Sequence, residues 1–423
     1  MDYRIFPPEE LIDVTIDLPI SKSVANRALI MKALSGEGID QMEFAHCDDG
    51  EAMYNALCND NKETCINIGA AGTAMRFLTA FYASKPNIII ELDGSERMRE
   101  RPIKELVDAL RSLGAKIEYM GEEGFPPIKI IGSQLHGGNL TLRADISSQY
   151  ISAILMIAPT MTEGLNLVLT GQIVSKPYID MTIKMMRRRG INIEMDGNTI
   201  VVEKGNYKPV NEPLELDWTA ASYWAEIVAL SAGFVNLPGL SLDSIQGDRK
   251  MIDLFSQLGV RIERNEEDNN VTEFSGDPEV FSHLNIDLSQ NPDLAQTIAV
   301  TSAMLRIPFH LSGLSTLRIK ETDRLEALKN ELDKMGCKID IIGNEVIEWD
   351  GRTHPIFEIP EIHTYKDHRM AMAFAPAALY IPGLVIKDAE VVTKSYPEFW
   401  DHLEKAGFVL TDASLPLSPV DEQ

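Results

Sequence analysis

The chain has 423 residues, of which 44% are hydrophobic and 24% are charged, and it carries a formal net charge of −25 at pH 7. This length has room for two or three globular domains. The acidic balance argues against general binding to nucleic acids or anionic membranes, which need a basic face, and no run of about 18 apolar residues indicates a membrane span. Residues 1–10 are polar, contain prolines and lack the pattern of a secretory signal, so we expect a cytoplasmic protein.

The spacing of the cysteines argues against a fold that is stabilised by disulfides or by a metal ion. Cys47, Cys58, Cys65 and Cys337 form no CxxC pair and no metal-ligand spacing. This pattern argues against a disulfide framework and against a structural zinc site. We therefore expect four buried, reduced thiols.

One type of segment recurs along the chain. Each copy has an apolar strand-like run, a Gly or Asp, a short loop and an amphipathic helix that ends at Gly before another strand. The copies are a degenerate one at 42–68, where Asn59 stands near the helix end in place of Gly, and regular ones at 88–114, 165–190, 234–259, 309–336 and 384–407. The final glycines of the regular copies lie roughly 69 to 77 residues apart, which indicates an internal repeat.

A second type of helix lies between these segments and is apolar nearly all round. Ala, Met, Leu and Ile dominate its six copies, at 23–34, 73–84, 148–157, 220–231, 294–305 and 368–380. A helix that is apolar on every side is expected to be buried. The polar residues lie at or just before the first turn, where free N–H groups and the helix dipole favour anions. The pattern predicts six buried helices whose N-termini face a shared anionic ligand.

Strands that alternate with two classes of helix predict an α/β architecture in which sheets pack around buried helices. Six repeats divide naturally into two similar domains of three. The best candidate boundary is 213–217, because a polar, proline-bearing stretch near the middle of the chain leads into it.

Cationic residues occupy roughly equivalent places in the repeats. In the loops before the surface helices they are Arg97, Arg99, Arg101, Lys176, Arg249, Lys320, Arg324 and Lys394, and in the buried helices they are Lys22, Arg27, Arg76 and Arg369. If the repeats bring them together, they create an electropositive cleft between the domains. Such a cleft predicts a small substrate with phosphate and carboxylate groups, because the guanidinium group of Arg matches both. The most heavily charged of these loops is 317–324, for which a solvated loop that caps a helix is the alternative interpretation.

Ordered motifs along the whole chain resemble those of a known family. They are Ser21-Lys22-Ser23 with Asn26-Arg27, Ala71-Gly72-Thr73-Ala74-Met75-Arg76, 97–102, Ser147-Ser148-Gln149, Ser175-Lys176-Pro177-Tyr178, Gln246-Gly247-Asp248, 320–324, Asp367-His368-Arg369-Met370 and 394–397. With these motifs in this order, the chain resembles the 5-enolpyruvylshikimate-3-phosphate synthases. The resemblance implies two similar domains, each of three repeated βαβαββ units in an inside-out α/β barrel, with the substrate cleft between them. It also implies that residues 1–20 join 215–423 in a C-terminal-type domain and that 21–214 form the N-terminal-type domain.

The same resemblance implies a transferase of the shikimate pathway. The enolpyruvyl group of phosphoenolpyruvate passes to the 5-hydroxyl of shikimate 3-phosphate by addition and elimination, and phosphate is released. The product leads to chorismate and the aromatic amino acids. No metal or organic cofactor takes part. We further expect a monomer, and inhibition by glyphosate.

The resemblance also assigns roles to residues. It implies that Asp293 takes the proton of the 5-hydroxyl and that Glu321 exchanges a proton with C3 of phosphoenolpyruvate, while Lys320 and Lys22 share the proton transfers. The residues implied to bind shikimate 3-phosphate are Lys22, Ser23, Arg27, Ser147, Ser148, Ser175, Tyr178, Asp293, Thr316 and Lys320. Those implied to bind phosphoenolpyruvate are Lys22, Gly72, Arg101, Gln149, Arg324, Arg369 and Lys394. Helix capping is the alternative role for the serines and for Asp293. For Glu321 the alternative is a contact with the helix dipole, and for each cation it is a surface ion pair.

Four positions depart from the family pattern. Ile20, Ala70 and Phe77 stand where Gly, Asn and Pro are common, and Thr316 replaces an Asn. None of these changes removes a catalytic charge, so we expect activity to be kept, and the changes bear on substrate affinity and on sensitivity to glyphosate.

Two other functions are the alternatives. The related enolpyruvyl transferase that acts on UDP-N-acetylglucosamine would carry a reactive loop cysteine and a Lys-Asn pair, whereas here Ser23 follows Lys22 and no Cys lies in the loop 97–101. A catalytically silent anion-binding homologue would not need carboxylates such as Asp293 and Glu321 beside its anionic ligands.

Overall fold

The computed structural model describes residues 1–39, 42–59, 64–210 and 213–415. The chain divides into two compact units. The N unit comprises Ile20–Glu215 with Ile245–Gly247, and the C unit comprises Met1–Pro19, Leu216–Ser244 and the chain from Asp248 onward. Each unit has its own apolar core.

Twenty β-strands lie in the described residues. In chain order they are β1 (Tyr3–Phe6), β2 (Asp13–Thr15), β3 (Cys65–Asn67), β4 (Ile89–Asp93), β5 (Lys116–Tyr119), β6 (Ile128–Ile131), β7 (Gly138–Arg143), β8 (Leu165–Thr170), β9 (Ile193–Asp196), β10 (Thr199–Val202), β11 (Phe234–Pro238), β12 (Leu258–Arg264), β13 (Val271–Val280), β14 (Leu284–Asp287), β15 (Phe309–Ser312), β16 (Asp340–Ile342), β17 (Val346–Trp349), β18 (Glu361–Ile362), β19 (Leu384–Ile386) and β20 (Val409–Asp412).

Thirteen α-helices lie in the same part of the chain. They are α1 (Lys22–Ser35), α2 (Asp48–Leu57), α3 (Gly72–Ala83), α4 (Glu96–Arg99), α5 (Lys104–Ser112), α6 (Ser148–Ile157), α7 (Lys176–Arg188), α8 (Trp218–Ser231), α9 (Met251–Phe255), α10 (Ala295–Met304), α11 (Arg324–Lys334), α12 (His368–Phe374) and α13 (Phe399–Lys405). Short 3-10 helices lie at Ala158–Thr160, Gly247–Lys250, Pro292–Leu294, Ser315–Ile319, Ala375–Leu379 and Ala389–Lys394.

Five four-stranded sheets share one topology. In the sheet β3-β4-β6-β5 of the N unit, β4 pairs parallel with β3 and antiparallel with β6, and β6 pairs antiparallel with β5. The sheets β7-β8-β10-β9 of the N unit and β14-β15-β17-β16 of the C unit repeat this arrangement. Each of the other two C-unit sheets includes one strand from the start of the chain. In one sheet β2 pairs with β11, and in the other β1 lies between β19 and β20. The repeated sheet confirms the predicted α/β class.

The prediction of six buried helices is confirmed. They are α1, α3 and α6 in the N unit and α8, α10 and α12 in the C unit. All ten residues of α10 are buried, and in α6 every residue except Gln149 is buried. The last of the six is shorter than predicted, because Pro376 has no N–H to donate and the chain continues as a 3-10 helix from Ala375 to Leu379.

The outer helices follow the predicted repeat. The glycines that end the regular copies, Gly114, Gly190, Gly259, Gly336 and Gly407, all have positive φ angles, between 78° and 101°. Four of these glycines directly follow the C-cap of an outer helix, where a left-handed residue turns the chain toward the next strand. Gly259 instead lies inside β12, at a shift in the strand register. The degenerate copy contains α2 and β3, residues 42–46 form no strand, and 60–63 lie outside the described residues.

The expectation of four buried cysteines is wrong for Cys65, which is exposed, and Cys58 is only partly buried. Cys65 and Ile66 point to opposite faces of β3, and Ile66 takes the buried face. None of the described helices combines the length and the apolar character that crossing a membrane requires.

Candidate active site

Six predicted site residues of the C unit come from separate segments. They are Asp293 in the 3-10 helix before α10, Lys320 and Glu321 in the turn before α11, Arg324 and Arg369 in the first turns of α11 and α12, and Lys394 at the end of the 3-10 helix Ala389–Lys394. The structure brings all six into one network of ion pairs, described pair by pair below.

Asp293 lies at the centre of this network. Its Oδ1 accepts a hydrogen bond from Arg324 Nη1 at 3.0 Å and lies 3.6 Å from Lys320 Nζ. Its Oδ2 accepts one from Arg369 Nη2 at 3.0 Å. Burial opposes ionisation of this carboxyl, but Arg369, Lys320 and Arg324 outweigh it and hold the pKa of Asp293 well below its usual range. The side chain does not cap its helix.

Glu321 is the second carboxylate of the network. Arg324 Nη2 donates to its Oε2 at 3.1 Å, and Lys394 Nζ lies 3.3 Å from its Oε1. Its side chain is only 13% exposed. Two carboxylates therefore share Arg324, and four cations surround them, which suits a site that moves protons beside anionic groups.

Asp367 is a member of the network that the sequence analysis named within a motif but to which it assigned no role. Arg324 Nε donates to its Oδ2 at 2.7 Å and Arg324 Nη2 to its Oδ1 at 3.2 Å, and both side chains are almost fully buried. The same Oδ1 accepts the backbone N–H of Arg369 at 2.9 Å and so caps α12. One carboxylate thus orients Arg324 and starts the helix that carries Arg369. The signal for it was its place one residue before an apolar helix.

Asp248 is a further buried carboxylate of the C unit that no sequence-based role covered. It accepts hydrogen bonds from the Thr219 hydroxyl at 2.5 Å and from Asn291 Nδ2 at 3.2 Å. Burial and the nearby negative charge of Asp293 raise the pKa of Asp248. The Asp293 network therefore has a second acid next to it whose environment favours its protonated form.

The loop 317–324 contains both a helix cap and members of the ion-pair network. Asp323 caps α11 by accepting the N–H groups of Leu325 and Glu326, and it also pairs with Arg318. The capping alternative therefore applies to Asp323, while Lys320, Glu321 and Arg324 join the ion-pair network. Thr316 lies just before this loop, and among the described residues its buried Oγ1 has no hydrogen-bond partner.

In the N unit, Lys22 lies at the first position of α1. Its Nζ pairs with Oδ2 of Asp49 in the first turn of α2 at 2.9 Å. Lys22 is 14% exposed and Asp49 is 5% exposed. Asp49 is a second residue that the sequence analysis missed. Because a buried carboxylate limits the positions that the ammonium group can take, Asp49 orients Lys22.

Arg27 is buried in the N unit among hydroxyl and carbonyl groups. Its Nε donates to Thr182 Oγ1 at 2.7 Å, its Nη1 to the Ser23 carbonyl at 2.8 Å and its Nη2 to Ser152 Oγ at 3.1 Å. Burial lowers the pKa of Arg27 to about 10, so the guanidinium keeps its charge at neutral pH. No carboxylate is among these partners, which leaves the charge available to an anionic ligand.

Two aromatic rings also surround Arg27. Its Cζ lies 5.2 Å from the centroid of the Phe77 ring and 6.0 Å from that of Tyr178, and the Tyr178 carbonyl accepts from Nη2 at 3.4 Å. Phe77 is one of the departures from the family pattern. Its ring supplies a cation–π contact at a site where the family pattern has Pro, so the departure supports Arg27.

Gly72 is required by the position of Arg101. A Cβ atom at Gly72 would lie 2.7 Å from Nη1 and 2.8 Å from Nη2 of Arg101, so any other residue would displace the guanidinium. Arg76 fixes the same loop, because its Nη1 donates to the Gly72 carbonyl and its Nη2 to the Pro102 carbonyl. Arg101 therefore lies against the start of α3, where the helix dipole favours anions.

The serines predicted to bind phosphate differ in their local roles. Ser147 caps α6 by accepting the N–H of Gln149, as the capping alternative predicts. Ser175 precedes α7 with a left-handed φ of 52°, and its side chain does not cap that helix. Ser148 is buried, and Gln149 Nε2 donates to Thr73 Oγ1 at 3.1 Å, which joins the starts of α6 and α3.

Four other cations of the predicted cleft have local carboxylate partners or are exposed. Arg97 pairs with Glu100, Arg99 with Asp93 and Lys176 with Asp180, all near the surface, and Arg249 is exposed. A shared electropositive cleft that includes these residues stays a prediction. Among the described residues, no group of three or more His, Cys, Asp or Glu side chains is arranged to hold a metal ion.

The protein has repeated sheets, buried helices that start beside cations, and carboxylates held by four cations. Together these features define the class of protein: an α/β enzyme that acts on small anionic substrates. The model of a family described as EPSP synthase (3-phosphoshikimate 1-carboxyvinyltransferase) matches residues 51–403. A 3-phosphoshikimate 1-carboxyvinyltransferase of Bacteroides fragilis is 46% identical over 410 residues, which cover 96% of this chain and 98% of the relative. One from Histophilus somni is 35% identical over 436 residues, with coverages of 96% and 99%. The chain belongs to the EPSP synthase family.

The fold agrees with a solved structure. EPSP synthase from Acinetobacter baumannii superposes with a TM-score of 0.76 at 22% sequence identity, over 97% of this chain and 100% of that chain. At this identity the likeness concerns the fold alone. It confirms the α/β architecture that the repeats predict.

Proposed function

We infer that the protein is an enolpyruvyl transferase of the shikimate pathway. It transfers the enolpyruvyl group of phosphoenolpyruvate to the 5-hydroxyl of shikimate 3-phosphate and releases phosphate, on the way to chorismate and the aromatic amino acids. The observation that carries this proposal, in a chain of the EPSP synthase family, is the carboxylate pair Asp293 and Glu321 held among Lys320, Arg324, Arg369 and Lys394.

The proposal assigns the anionic groups of phosphoenolpyruvate to cations and to helix starts. In the C unit these are Arg324, Arg369 and Lys394, and in the N unit they are Lys22, Gly72, Arg101 and Gln149. Support comes from the charge balance, because Arg324 and Arg369 are held by carboxylates that an anionic ligand can replace as partners. Arg27 and Ser23 are assigned to the carboxylate of shikimate 3-phosphate, and its phosphate is assigned to Ser147, Ser148 and Ser175, with Tyr178 beside them. Thr316, Lys320, Lys22 and Asp293 complete the assignment to this substrate.

The chemistry has an addition step and an elimination step. In the first, the 5-hydroxyl oxygen attacks C2 of phosphoenolpyruvate and loses its proton to Asp293, while the electrons of the C2–C3 double bond take a proton at C3 from Glu321. In the second, Glu321 recovers a proton from C3, the double bond forms again, the C2–O bond to phosphate breaks, and the departing phosphate takes the proton that Asp293 had accepted. In the proposal, as in the family resemblance, Lys320 and Lys22 share the proton transfers.

Binding of the donor would activate Asp293 as a base. In the structure, three cations hold the pKa of Asp293 well below its usual range, which makes its carboxylate a weak base. When an anionic ligand binds Arg324 and Arg369, their positive charge is partly neutralised and the pKa of Asp293 rises. The base thus gains strength only when the donor is present.

An assay of phosphate release tests the proposal. The protein is incubated with phosphoenolpyruvate and with either shikimate 3-phosphate or UDP-N-acetylglucosamine as the acceptor. We expect phosphate only with the shikimate ester. Release with the sugar nucleotide instead would favour the related transferase, and no release from folded protein with either acceptor would favour a silent anion-binding protein. A monomeric state, a cytoplasmic location and inhibition by glyphosate stay predictions, which gel filtration, fractionation and inhibitor titration of the same assay can test.

A further inference from the structure

A buried carboxylate near the end of α11 contacts the segment that leads into α12. Glu331 has no exposed surface, and it accepts three hydrogen bonds. Tyr365 OH donates to its Oε1 at 2.6 Å, while the backbone N–H of His363 and Lys334 Nζ donate to its Oε2 at 3.0 and 2.6 Å. Helix α11 therefore contacts the 363–369 segment at two places, through Arg324 at its start and through Glu331 two turns later.

The segment between these contacts has an unusual backbone. Tyr365 and Lys366 both have left-handed φ angles, 53° and 58°, and they are adjacent non-glycine residues directly before Asp367. A non-glycine residue in this conformation is strained and persists only where its surroundings hold it. The turn also uses the Thr364 carbonyl, which accepts the N–H of Asp367 at 2.9 Å. The position of Asp367 thus depends on a turn that the chain does not favour by itself.

The charges around the contact between Glu331 and Tyr365 allow it to persist at all working pH values. Lys334 balances the buried charge of Glu331 and also donates to the Glu361 carbonyl in β18 at 2.8 Å. Burial and the hydrogen bond to Glu331 raise the pKa of Tyr365 to about 12, so its hydroxyl stays a donor at all working pH values. The ring of Tyr365 also meets that of His363 edge to face.

We propose that Glu331 and Tyr365 are positioning residues for the donor-binding arginines. They hold the 365–366 turn in the shape that places Asp367 against Arg324 and at the cap of α12, and hence they set the direction of Arg369. Neither residue touches the reacting atoms in this proposal. The inference rests on the proposed function in one respect, the assignment of both arginines to phosphoenolpyruvate.

The first test is Tyr365→Phe, which removes one hydroxyl and keeps the ring. We expect KM for phosphoenolpyruvate to rise at least about fivefold, the factor that corresponds to one net hydrogen bond. KM for shikimate 3-phosphate should stay within about twofold, because its proposed carboxylate and phosphate ligands do not depend on this turn. The matched control is Tyr380→Phe, at a half-exposed tyrosine, which should leave both KM values unchanged.

Variants of Glu331 give a graded series. Glu331→Gln keeps an oxygen acceptor for Lys334 and His363 and a polar group opposite Tyr365, so it should raise KM for phosphoenolpyruvate less than Glu331→Ala does. A structural role alone predicts a different outcome, namely a lower kcat in proportion to the folded fraction with both KM values unchanged. That outcome, or unchanged kinetics in Tyr365→Phe, would overturn the proposal.

Hydrogen exchange separates this inference from the proposed function. In Tyr365→Phe, the amides of 363–370 should exchange faster than in the parent protein, while those of α1 in the N unit should not change. This measurement needs no activity. If the parent protein releases no phosphate, the proposed function fails, and equal exchange at 363–370 in parent and variant would separately overturn the role of Tyr365.

Discussion

Glu321→Gln tests the central chemical assignment. The substitution keeps the shape of the side chain and an oxygen that can accept from Arg324, but it removes the charge and the ability to exchange a proton. Loss of a general acid–base group costs about 10²- to 10⁴-fold in turnover. We therefore expect kcat to fall at least about 100-fold, which corresponds to about 2.7 kcal/mol in the activation free energy.

The structure also predicts what this variant leaves unchanged. Glu321 lies 3.1 Å from Arg324 Nη2 and 3.3 Å from Lys394 Nζ, and the neutral amide of Glu321→Gln can keep a contact with these cations without adding negative charge beside the anionic donor. KM for phosphoenolpyruvate should therefore stay the same or fall. Arg324 keeps Asp293 and Asp367 as partners, so the folded state should remain.

Steady-state phosphate release, with each substrate varied in turn, measures these quantities. Glu326→Gln is the matched control, because Glu326 is an exposed carboxylate of α11 that pairs only loosely, at 3.6 Å, with Arg318. Turnover of Glu321→Gln within about threefold of the parent would refute the assignment. A rise in KM for phosphoenolpyruvate at unchanged kcat would show instead that this carboxylate acts in binding.

Three further predictions concern other residues. Arg27→Met should raise KM for shikimate 3-phosphate by about 100-fold, as expected for loss of a buried charged partner, and an equal rise in both KM values would contradict its role. Asp49→Asn should lower kcat about tenfold, because Lys22 loses its orienting charge, and unchanged turnover in the same assay would contradict this. Burial without a charged partner holds the pKa of Glu226 well above the usual pKa of a glutamate, so the stability it contributes is present below that usual pKa and is lost as pH rises through the folded-state pKa. The thermal midpoint of Glu226→Gln relative to that of the parent should therefore rise as pH increases above the usual pKa of a glutamate, and a difference that does not change with pH would refute the reasoning.

The sequence predicts the helices of the core well, because their cause is local. A helix that is apolar on every side is buried in the core, and polar residues before its first turn mark where it starts. The predicted 148–157 and 73–84 correspond to Ser148–Ile157 and Gly72–Ala83. The glycines at the ends of the outer helices are local signals in the same sense.

Strand pairs and ion pairs that join distant segments of the chain cannot be predicted from local sequence patterns. Nothing in the residues of β1 indicates that this strand lies between β19 and β20. The charge of a side chain likewise does not show which group the side chain will pair with. Arg99 and Arg101 are two residues apart, yet Arg99 pairs with Asp93 at the surface and Arg101 lies against Gly72.

The catalytic and binding roles rest on the family resemblance and stay predictions. The resemblance names single residues, whereas the structure adds the groups that hold them. Asp367 and Asp49 are examples, since each is a buried carboxylate whose importance appears only through the cation that it faces.

The place of β1 has a consequence for how the protein is made. β1 lies between β19 and β20, so the sheet that contains the earliest strand of the chain closes only after one of the last strands has left the ribosome. Synthesis at about 5–20 residues per second leaves residues 3–6 waiting for their partners for tens of seconds. The N unit, drawn almost wholly from Ile20–Glu215, has no such delay. Synthesis of β20, rather than of β1, therefore sets the earliest moment at which this sheet of the C unit can form.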